Sequence, residues 1–250
     1  QKVISNIQAK ADIERLVTIP SPYLLEEDRA DRKNRLVYFE TSRGCPYQCQ
    51  YCLSSLETGV RYFPQAYIEQ NLELLVAQGV RQIKFLDRTF NLNKRHTRSV
   101  FDFLISKHRP ELSCQFEIYA DLLDDEMIAY LNDRLPAHYF RFEIGIQSTY
   151  QPTNVAVRRK QDFELLSGNI VKIMAGGKID LHLDLIAGLP YETFDRFRQS
   201  FNDVFRLKAK EVQLGFLNLL RGTALRRDAN AYWYVYNEQA PYEIQSNDDI

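Results

Sequence analysis

Three of the four cysteines in the chain lie close together, at Cys45, Cys49 and Cys52, with the spacing C-x3-C-x2-C. Thiolates are soft ligands for zinc and iron–sulfur clusters, and this short spacing allows one loop to wrap a metal centre. A structural zinc site takes four ligands, and the first histidine after the loop is His96. Three protein ligands leave one position open, which favours chemistry over a scaffolding role. A three-cysteine zinc loop, or a disulfide with one spare thiol, is the alternative.

Strands and helices must hold this loop in place, and segments typical of strands alternate along the sequence with segments typical of helices. β-Branched and aromatic runs predict strands over 36–42, 82–87, 113–120, 139–147, 179–186 and 211–217. Apolar residues at helical spacing predict helices near 65–78, 94–107, 124–134, 163–175 and 192–207. Six βα repeats predict an α/β fold, a partial (β/α)6 TIM-type barrel.

Polar residues fall on one face of three predicted strands. They are Gln115, Glu117 and Tyr119; Arg141, Glu143, Gly145 and Gln147; and Asp180, His182 and Asp184. Helices cover the apolar face of a parallel strand, so we expect the polar face to line the barrel lumen. Buried charge there requires partners or a polar ligand, and a Glu143–Arg141 ion pair is one alternative. Cys114 falls on the opposite face, which predicts a packed core residue.

The cysteine motif, with Tyr51 before its last cysteine, resembles that of the radical S-adenosylmethionine (SAM) superfamily. In that family three cysteines bind a [4Fe–4S] cluster, SAM chelates the fourth iron, and an electron from the cluster cleaves SAM to a 5′-deoxyadenosyl radical. The resemblance extends from about Leu36 to Leu225. Its segments 143–148 and 182–193 resemble relatives of coproporphyrinogen dehydrogenase and the cobalamin-associated branch.

The resemblance implies that Cys45, Cys49 and Cys52 hold the cluster. The residues it implies for SAM binding are Tyr51, Asp87, Glu117, Glu143, Gln147, Arg159, Asp184 and Leu217. Carboxylate and amide oxygens suit ribose hydroxyls, and an arginine pairs with the methionine carboxylate, although the adjacent Arg158 could take that role. A Gly-Gly-Glu segment, common in the family, is replaced by 86–91, where Asp87 is expected to accept from the SAM ammonium.

A radical SAM enzyme is therefore the expected function, and cobalamin-dependent methyl transfer is the favoured reaction. The alternatives are a radical SAM oxidation or rearrangement without cobalamin, and a non-catalytic zinc or iron–sulfur module. The resemblance also implies an external electron donor and a cobalamin-binding domain upstream of residue 1. No motif in the chain identifies the substrate.

Composition and charge set the remaining expectations. The net charge is −1 and the pI about 6.5, so the chain has no excess of positive charge that would attract nucleic acid or an anionic membrane. Clustered cysteines and the lack of a signal peptide or long apolar run predict a cytoplasmic protein. We expect residues 1–34 to be a linker from an upstream domain, with an extended proline segment at 18–23 and a solvated charge run at 26–35. Residues 35–228 form the predicted barrel and 229–250 a C-terminal extension.

Overall fold

Six parallel strands form a single sheet in sequential order. They are β1 (Leu36–Phe39), β2 (Gln82–Phe85), β3 (Ser113–Glu117), β4 (Phe140–Gln147), β5 (Asp180–Ala187) and β6 (Glu211–Phe216). Each strand pairs in parallel with the next one along the chain. This computed structural model describes residues 12–249, and within them β1 and β6 form the two open edges of the sheet. The predicted α/β partial barrel is confirmed.

A helix follows each of the first five strands within two residues of each predicted boundary, and a further short helix, Gln151–Ala156, lies between β4 and the predicted helix after it. The five predicted helices are α1 (Gln65–Ala77), α2 (Lys94–Ser106), α3 (Asp125–Arg134), α4 (Phe163–Ala175) and α5 (Phe194–Phe205). Four of these helices begin at a polar side chain that accepts from a backbone amide of the first turn, namely Asn93, Asp124, Asp162 and Thr193. Each such cap stabilises its helix by about 1 kcal/mol.

The side chains of β4 alternate along the strand as the sequence predicts. Phe140, Phe142, Ile144 and Ile146 are buried, whereas Arg141, Glu143, Gly145 and Gln147 are half-buried on the lumen side. The buried face packs with aromatic rings of the neighbouring strands, including a stack of Phe85 on Phe116 with centroids 4.5 Å apart. Cys114 is fully buried in the same core, as predicted.

Three strands end two or more residues earlier than predicted because the chain changes direction near the site, and one of them, β2, ends at Phe85 instead of Asp87. β1 ends at Phe39, and Ser42–Arg43 instead pairs antiparallel with Arg61–Tyr62, which closes the cysteine loop at its base. β3 ends at Glu117, and Ala120–Leu122 forms a 3-10 turn.

The expected extended conformation at 18–23 is wrong, whereas the linker role of 1–34 stays a prediction. The described part of 1–34 is folded against the barrel. This part forms short helices at Ile13–Leu16 and Arg29–Arg32 and 3-10 turns at Pro22–Leu24 and Glu26–Asp28. The expected solvated charge run is also wrong at Arg32, which is only 4% exposed and donates to the carbonyl oxygens of Tyr23 and Leu25 at 2.6 and 2.7 Å. The side chain of Gln78 on α1 also accepts from it. Residues 1–11 of the predicted linker lie outside the described residues.

The C-terminal residues return to the carboxyl end of the sheet. Val235–Tyr236 pairs antiparallel with Ile244–Ser246, and the Tyr234 hydroxyl donates to the Gly188 carbonyl at 2.7 Å. A side chain at Gly188 would overlap Ile244, so glycine permits this close approach. Of the helices between residues 12 and 249, none is both long and apolar enough to cross a membrane.

Candidate active site

A cavity of about 370 Å³ lies at the carboxyl ends of the strands. It brings together most of the residues predicted for the site: Cys45, Cys49, Tyr51, Cys52, Glu117, Glu143, Gln147, Arg159 and Asp184. Their sequence positions span the first five strands, and only the parallel sheet places them at one end. This is the end at which barrel enzymes carry their active sites.

The cysteine loop is held at both ends by backbone contacts. Gly44 adopts a φ of +98°, and a Cβ there would overlap the backbone of Gly59, so the entry to the loop requires glycine. Near the other end, the Gln50 amide donates to the Val157 carbonyl at 2.9 Å, and the Leu225 amide donates to the Gln50 carbonyl at 2.9 Å. The loop is therefore fixed by segments from two distant parts of the chain.

The thiols of the loop sit in a partly dehydrated setting. Cys49 is buried, and Cys45 and Cys52 are half-buried. Burial raises the pKa of the Cys45 thiol, because the thiolate is the form that loses solvation. Thr89 lies 3.8 Å from the Cys45 sulfur through its hydroxyl. A bound metal would restore the thiolate form that burial disfavours.

Asp87 does not line the cavity, and its expected contact with the SAM ammonium requires correction. Its carboxylate accepts from the Thr41 amide at 2.9 Å, from the Thr41 hydroxyl at 2.6 Å and from the Ser42 hydroxyl at 2.6 Å. With 1% of its surface exposed, it has no face left for a ligand. Asp87 instead ties the end of β2 to the start of the cysteine loop.

Gln147 ends β4 in a strained conformation that aims its amide into the cavity. Its φ of +69° is unusual for a residue with a side chain, and the pairing of β4 with β5 shifts register between Gly145 and Gln147. Its side-chain oxygen is buried and has no hydrogen-bond partner among the described residues. Such strain and such an unpaired acceptor are typical of a ligand site.

Arg159, rather than Arg158, faces the cavity. Its guanidinium donates to the Gly145 carbonyl and lies 3.3 Å from the Tyr51 hydroxyl and 4.8 Å from the centre of the Tyr119 ring. Arg159 is 8% exposed, whereas Arg158 is exposed and lies outside the cavity lining. Burial therefore favours Arg159 over Arg158 for a contact with SAM, and that contact stays a prediction.

The carboxylates of the lumen have partners on the same strand or on another strand of the sheet. Glu143 lies 2.8 Å from Lys84, so the alternative pairing with Arg141 is wrong, and Arg141 instead lies 2.5 Å from Glu211. Asp184 lies 3.0 Å from the Nε2 atom of His182.

At the mouth of the cavity, Glu117 lies 3.5 Å from Arg88. Burial raises the pKa of both Glu117 and Asp184 above the ordinary carboxyl range, and their neighbouring cations oppose the shift.

Several lining residues were not identified from the sequence. Arg88 supplies a cation that faces Glu117, and Tyr47, Thr89 and Gln213 form further parts of the wall. Lys84 does not line the cavity itself but pairs with Glu143, which does. Lys84 could have been found, because it alternates with the buried Ile83 and Phe85 on β2.

Leu217 lies outside this cavity, contrary to expectation, because it follows β6 and is only 2% exposed. It lines a smaller pocket of about 350 Å³ that adjoins the cavity through Tyr51, Cys52 and Arg88.

Comparison with known proteins finds radical SAM proteins both among similar sequences and among similar structures. Residues 39–204 match the radical SAM superfamily. The cobalamin-dependent radical SAM methyltransferase TokK of Streptomyces tokunonensis is 25% identical over 203 residues, which cover 76% of this chain and 30% of TokK. The uncharacterized methyltransferase PH0819 of Pyrococcus horikoshii is 45% identical over 58 residues, which cover 22% of this chain and 13% of that protein.

Among solved structures, the fold is similar to that of the radical SAM methyltransferase TsrM from Kitasatospora setae with tryptophan and a SAM analogue bound. The TM-score is 0.69 at 18% identity, over 84% of this chain and 42% of TsrM. This chain spans less than half the length of each of the three relatives. Because the family match covers more than half of the chain, the chain belongs to the radical SAM superfamily.

Proposed function

We propose that this protein is an enzyme that binds a [4Fe–4S] cluster and SAM and cleaves SAM reductively to start radical chemistry. One observation carries the proposal: a single cavity gathers three thiols, an unpaired amide oxygen and three half-buried carboxylates, those of Glu117, Glu143 and Asp184. Thiols suit iron, and the oxygens suit a polar nucleoside. A non-catalytic module would have no use for a lumen lined in this way.

The residues present fit both groups. No three His, Cys, Asp or Glu side chains in the described part of the chain are arranged to share one metal ion. The three thiols of the loop therefore need not converge on one ion, which is compatible with a cubane cluster, in which each cysteine binds a different iron. The unpaired oxygen of Gln147 leaves an acceptor in the same cavity as the thiols, and the absence of a side chain at Gly145 makes room for the Gln147 amide.

In this proposal the cluster lies on Cys45, Cys49 and Cys52, and when bound it supplies the electron that splits SAM into methionine and a 5′-deoxyadenosyl radical. Asp184 and Glu117 accept from the ribose hydroxyls, and Gln147 accepts from a donor of SAM through its unpaired oxygen. Arg159 holds the methionine carboxylate by charge-assisted hydrogen bonds. Tyr51 offers an aromatic face beside the adenine. The Lys84–Glu143 pair keeps the lumen polar and its charge balanced.

We further propose that the reaction is a cobalamin-dependent methyl transfer to an unactivated carbon. This rests on the relatives, since TokK is described as a cobalamin-dependent methyltransferase and TsrM as a methyltransferase. In the proposal, cobalamin is bound by a further domain of the natural protein, and SAM supplies both the methyl group and the radical. A cytoplasmic location is part of the proposal, because all four cysteines are free of disulfides, as in a reducing compartment.

The experiment that tests the proposed function is anaerobic reconstitution with iron and sulfide, followed by dithionite and SAM. About four irons per chain and the release of 5′-deoxyadenosine are expected. Cys52→Ala should lose both iron and product. Cys114→Ala is the matched control, because that thiol lies in the core: it should keep the iron and lose only about 1 kcal/mol of stability. One zinc per chain and no cleavage of SAM would exclude the proposal in favour of a zinc module.

The methyl-transfer step is tested with added cobalamin in the natural full-length protein. A methyltransferase should release S-adenosylhomocysteine as well as 5′-deoxyadenosine. Release of 5′-deoxyadenosine alone would support the alternative, a radical SAM oxidation or rearrangement without cobalamin.

A further inference from the structure

A second groove, with a volume of about 670 Å³, lies on the outer face of the cysteine loop. The loop contributes Pro46, Tyr47 and Gln48, the residues between the first two cysteines. Tyr47 and Arg159 line both this groove and the active-site cavity. The floor of the groove is therefore one layer of side chains away from the cysteine thiols.

The groove combines apolar and basic side chains. Val155, which is 66% exposed, lines it together with Pro46 and Leu92, and the exposed cations Arg158 and Lys160 line it as well. Of the described residues that line the groove, none is acidic. A local excess of positive charge therefore occurs in a chain whose net charge is −1. A surface that combines exposed apolar side chains with charged ones is typical of a protein–protein interface.

This surface is rigid and mechanically tied to the cysteine loop. The ring of Tyr47 stacks on Tyr119 with centroids 4.3 Å apart and an angle of 14° between the planes. The Arg159 amide donates to the Asn154 carbonyl at 2.8 Å, which fixes the turn that presents Arg158. A partner would thus meet a preformed surface and avoid much of the entropic cost of ordering it.

We propose that the groove is the docking site of an acidic, low-potential one-electron carrier protein. The inference rests on the proposed function, which needs one electron from outside for each SAM that is cleaved. In the docked complex one electron leaves the carrier and enters the cluster, and no covalent bond forms or breaks in that transfer. Arg158 and Lys160 attract the acidic face of the carrier and set its orientation, and Val155 packs at the centre of the contact.

The shape and charge of the groove favour a protein over nucleic acid. Nucleic acid is held by cations that follow its phosphates over a long track, whereas this groove carries two exposed cations together with apolar side chains. The position matters as well, because the groove lies behind the cysteines and leaves the mouth of the cavity open for substrate.

The test uses the double variant Arg158→Glu and Lys160→Glu in protein that carries its cluster. The probe is an acidic flavodoxin in its hydroquinone form. Its affinity is measured by calorimetry and the rate of cluster reduction by stopped-flow absorbance. We expect at least a tenfold loss in both, together with a weaker dependence on salt. Reduction by dithionite, a small molecule that needs no docking site, should be unchanged. The milder pair Arg158→Gln and Lys160→Gln should give a smaller loss in the same direction.

The matched control is the pair Arg206→Glu and Lys208→Glu, two exposed cations that follow α5 at the opposite end of the barrel. Arg206 lies 3.0 Å from Asp203, so the free energy of unfolding of this control is measured as well. This pair makes the same change in net charge and should leave flavodoxin binding and reduction within twofold of the wild type. Equal losses in both pairs, unchanged rates in the Arg158 and Lys160 variants, or no binding of flavodoxin to the wild type would each overturn the docking site. Failure of dithionite to support SAM cleavage in the wild type would instead count against the proposed function, because it requires no docking.

Discussion

The guanidinium of Arg159 lies 3.3 Å from the hydroxyl of Tyr51, so the segment after β4 holds the ring that precedes the third cysteine. Arg159 also donates to the carbonyl of Gly145 on β4. One buried cation thereby connects the cysteine loop to the lumen strand whose side chains we propose to bind SAM. This connection allows Arg159 to orient the loop, in addition to the binding of the methionine carboxylate that we propose for it.

Arg159→Lys should weaken SAM binding at least tenfold, a change of about 1.4 kcal/mol. Lysine keeps the charge but lacks the planar fork that reaches Tyr51, Gly145 and a carboxylate together. Arg158→Lys is the matched control and should leave SAM affinity unchanged, because that side chain is exposed. SAM binding measured by calorimetry on the reconstituted protein decides the matter. Equal effects of the two changes would contradict the assignment to Arg159.

Asp87→Ala should destabilise the fold by about 3 kcal/mol and reduce iron loading. Its buried carboxylate accepts three hydrogen bonds from Thr41 and Ser42, and the substitution leaves those donors unpaired. Thr41→Val, which removes a single hydroxyl, should cost about 1 kcal/mol. Urea unfolding and iron analysis provide the two measurements. A variant of normal stability with SAM affinity lowered a hundredfold would restore the role expected from the sequence.

The barrel could be predicted from the sequence because its signals are local. Alternation along 139–147 and the helical spacing over 163–175 each depend on neighbouring residues, and the structure has Phe140–Gln147 and Phe163–Ala175 at those places. The same alternation predicts which side chains of β3, β4 and β5 face the lumen, since the strands fix the face of each side chain. The resemblance to the radical SAM family then singles out the site residues among them.

The misassignments come from contacts between distant parts of the chain. Asp87 turns back to Thr41, a partner 46 residues away, once β2 has ended and the alternation no longer fixes its direction. Arg32 reaches Gln78 over the same separation, so a charged residue in an apparently solvated run is buried. Leu217 likewise follows the end of β6, and beyond the end of a strand the alternation no longer predicts which face a side chain occupies.

SAM affinity should fall as the pH is lowered, and the fall should begin above the ordinary carboxyl range of about pH 4. The pKa values of Asp184 and Glu117 are raised by burial, so these groups take up protons earlier than exposed carboxyls do. A protonated carboxyl loses the charge that makes it a strong acceptor for ribose hydroxyls. Binding titrations at a series of pH values measure the effect. Asp184→Asn should bind SAM more weakly at neutral pH and show a flatter profile, and an unaltered profile in that variant would argue against the contact.

Gln147→Asn should weaken SAM binding about tenfold while the free energy of unfolding changes by less than about 1 kcal/mol. Asparagine tolerates the left-handed conformation at φ +69°, so the strand end keeps its shape, but the shorter side chain withdraws the amide from the cavity. Gly145→Ala offers an independent route to the same result, because its Cβ would overlap the end of the Gln147 side chain and displace it. The two single changes should therefore weaken binding by similar factors, and the double variant should be no worse than either. Additive losses in the double variant would mean that Gly145 acts on SAM by a path other than Gln147.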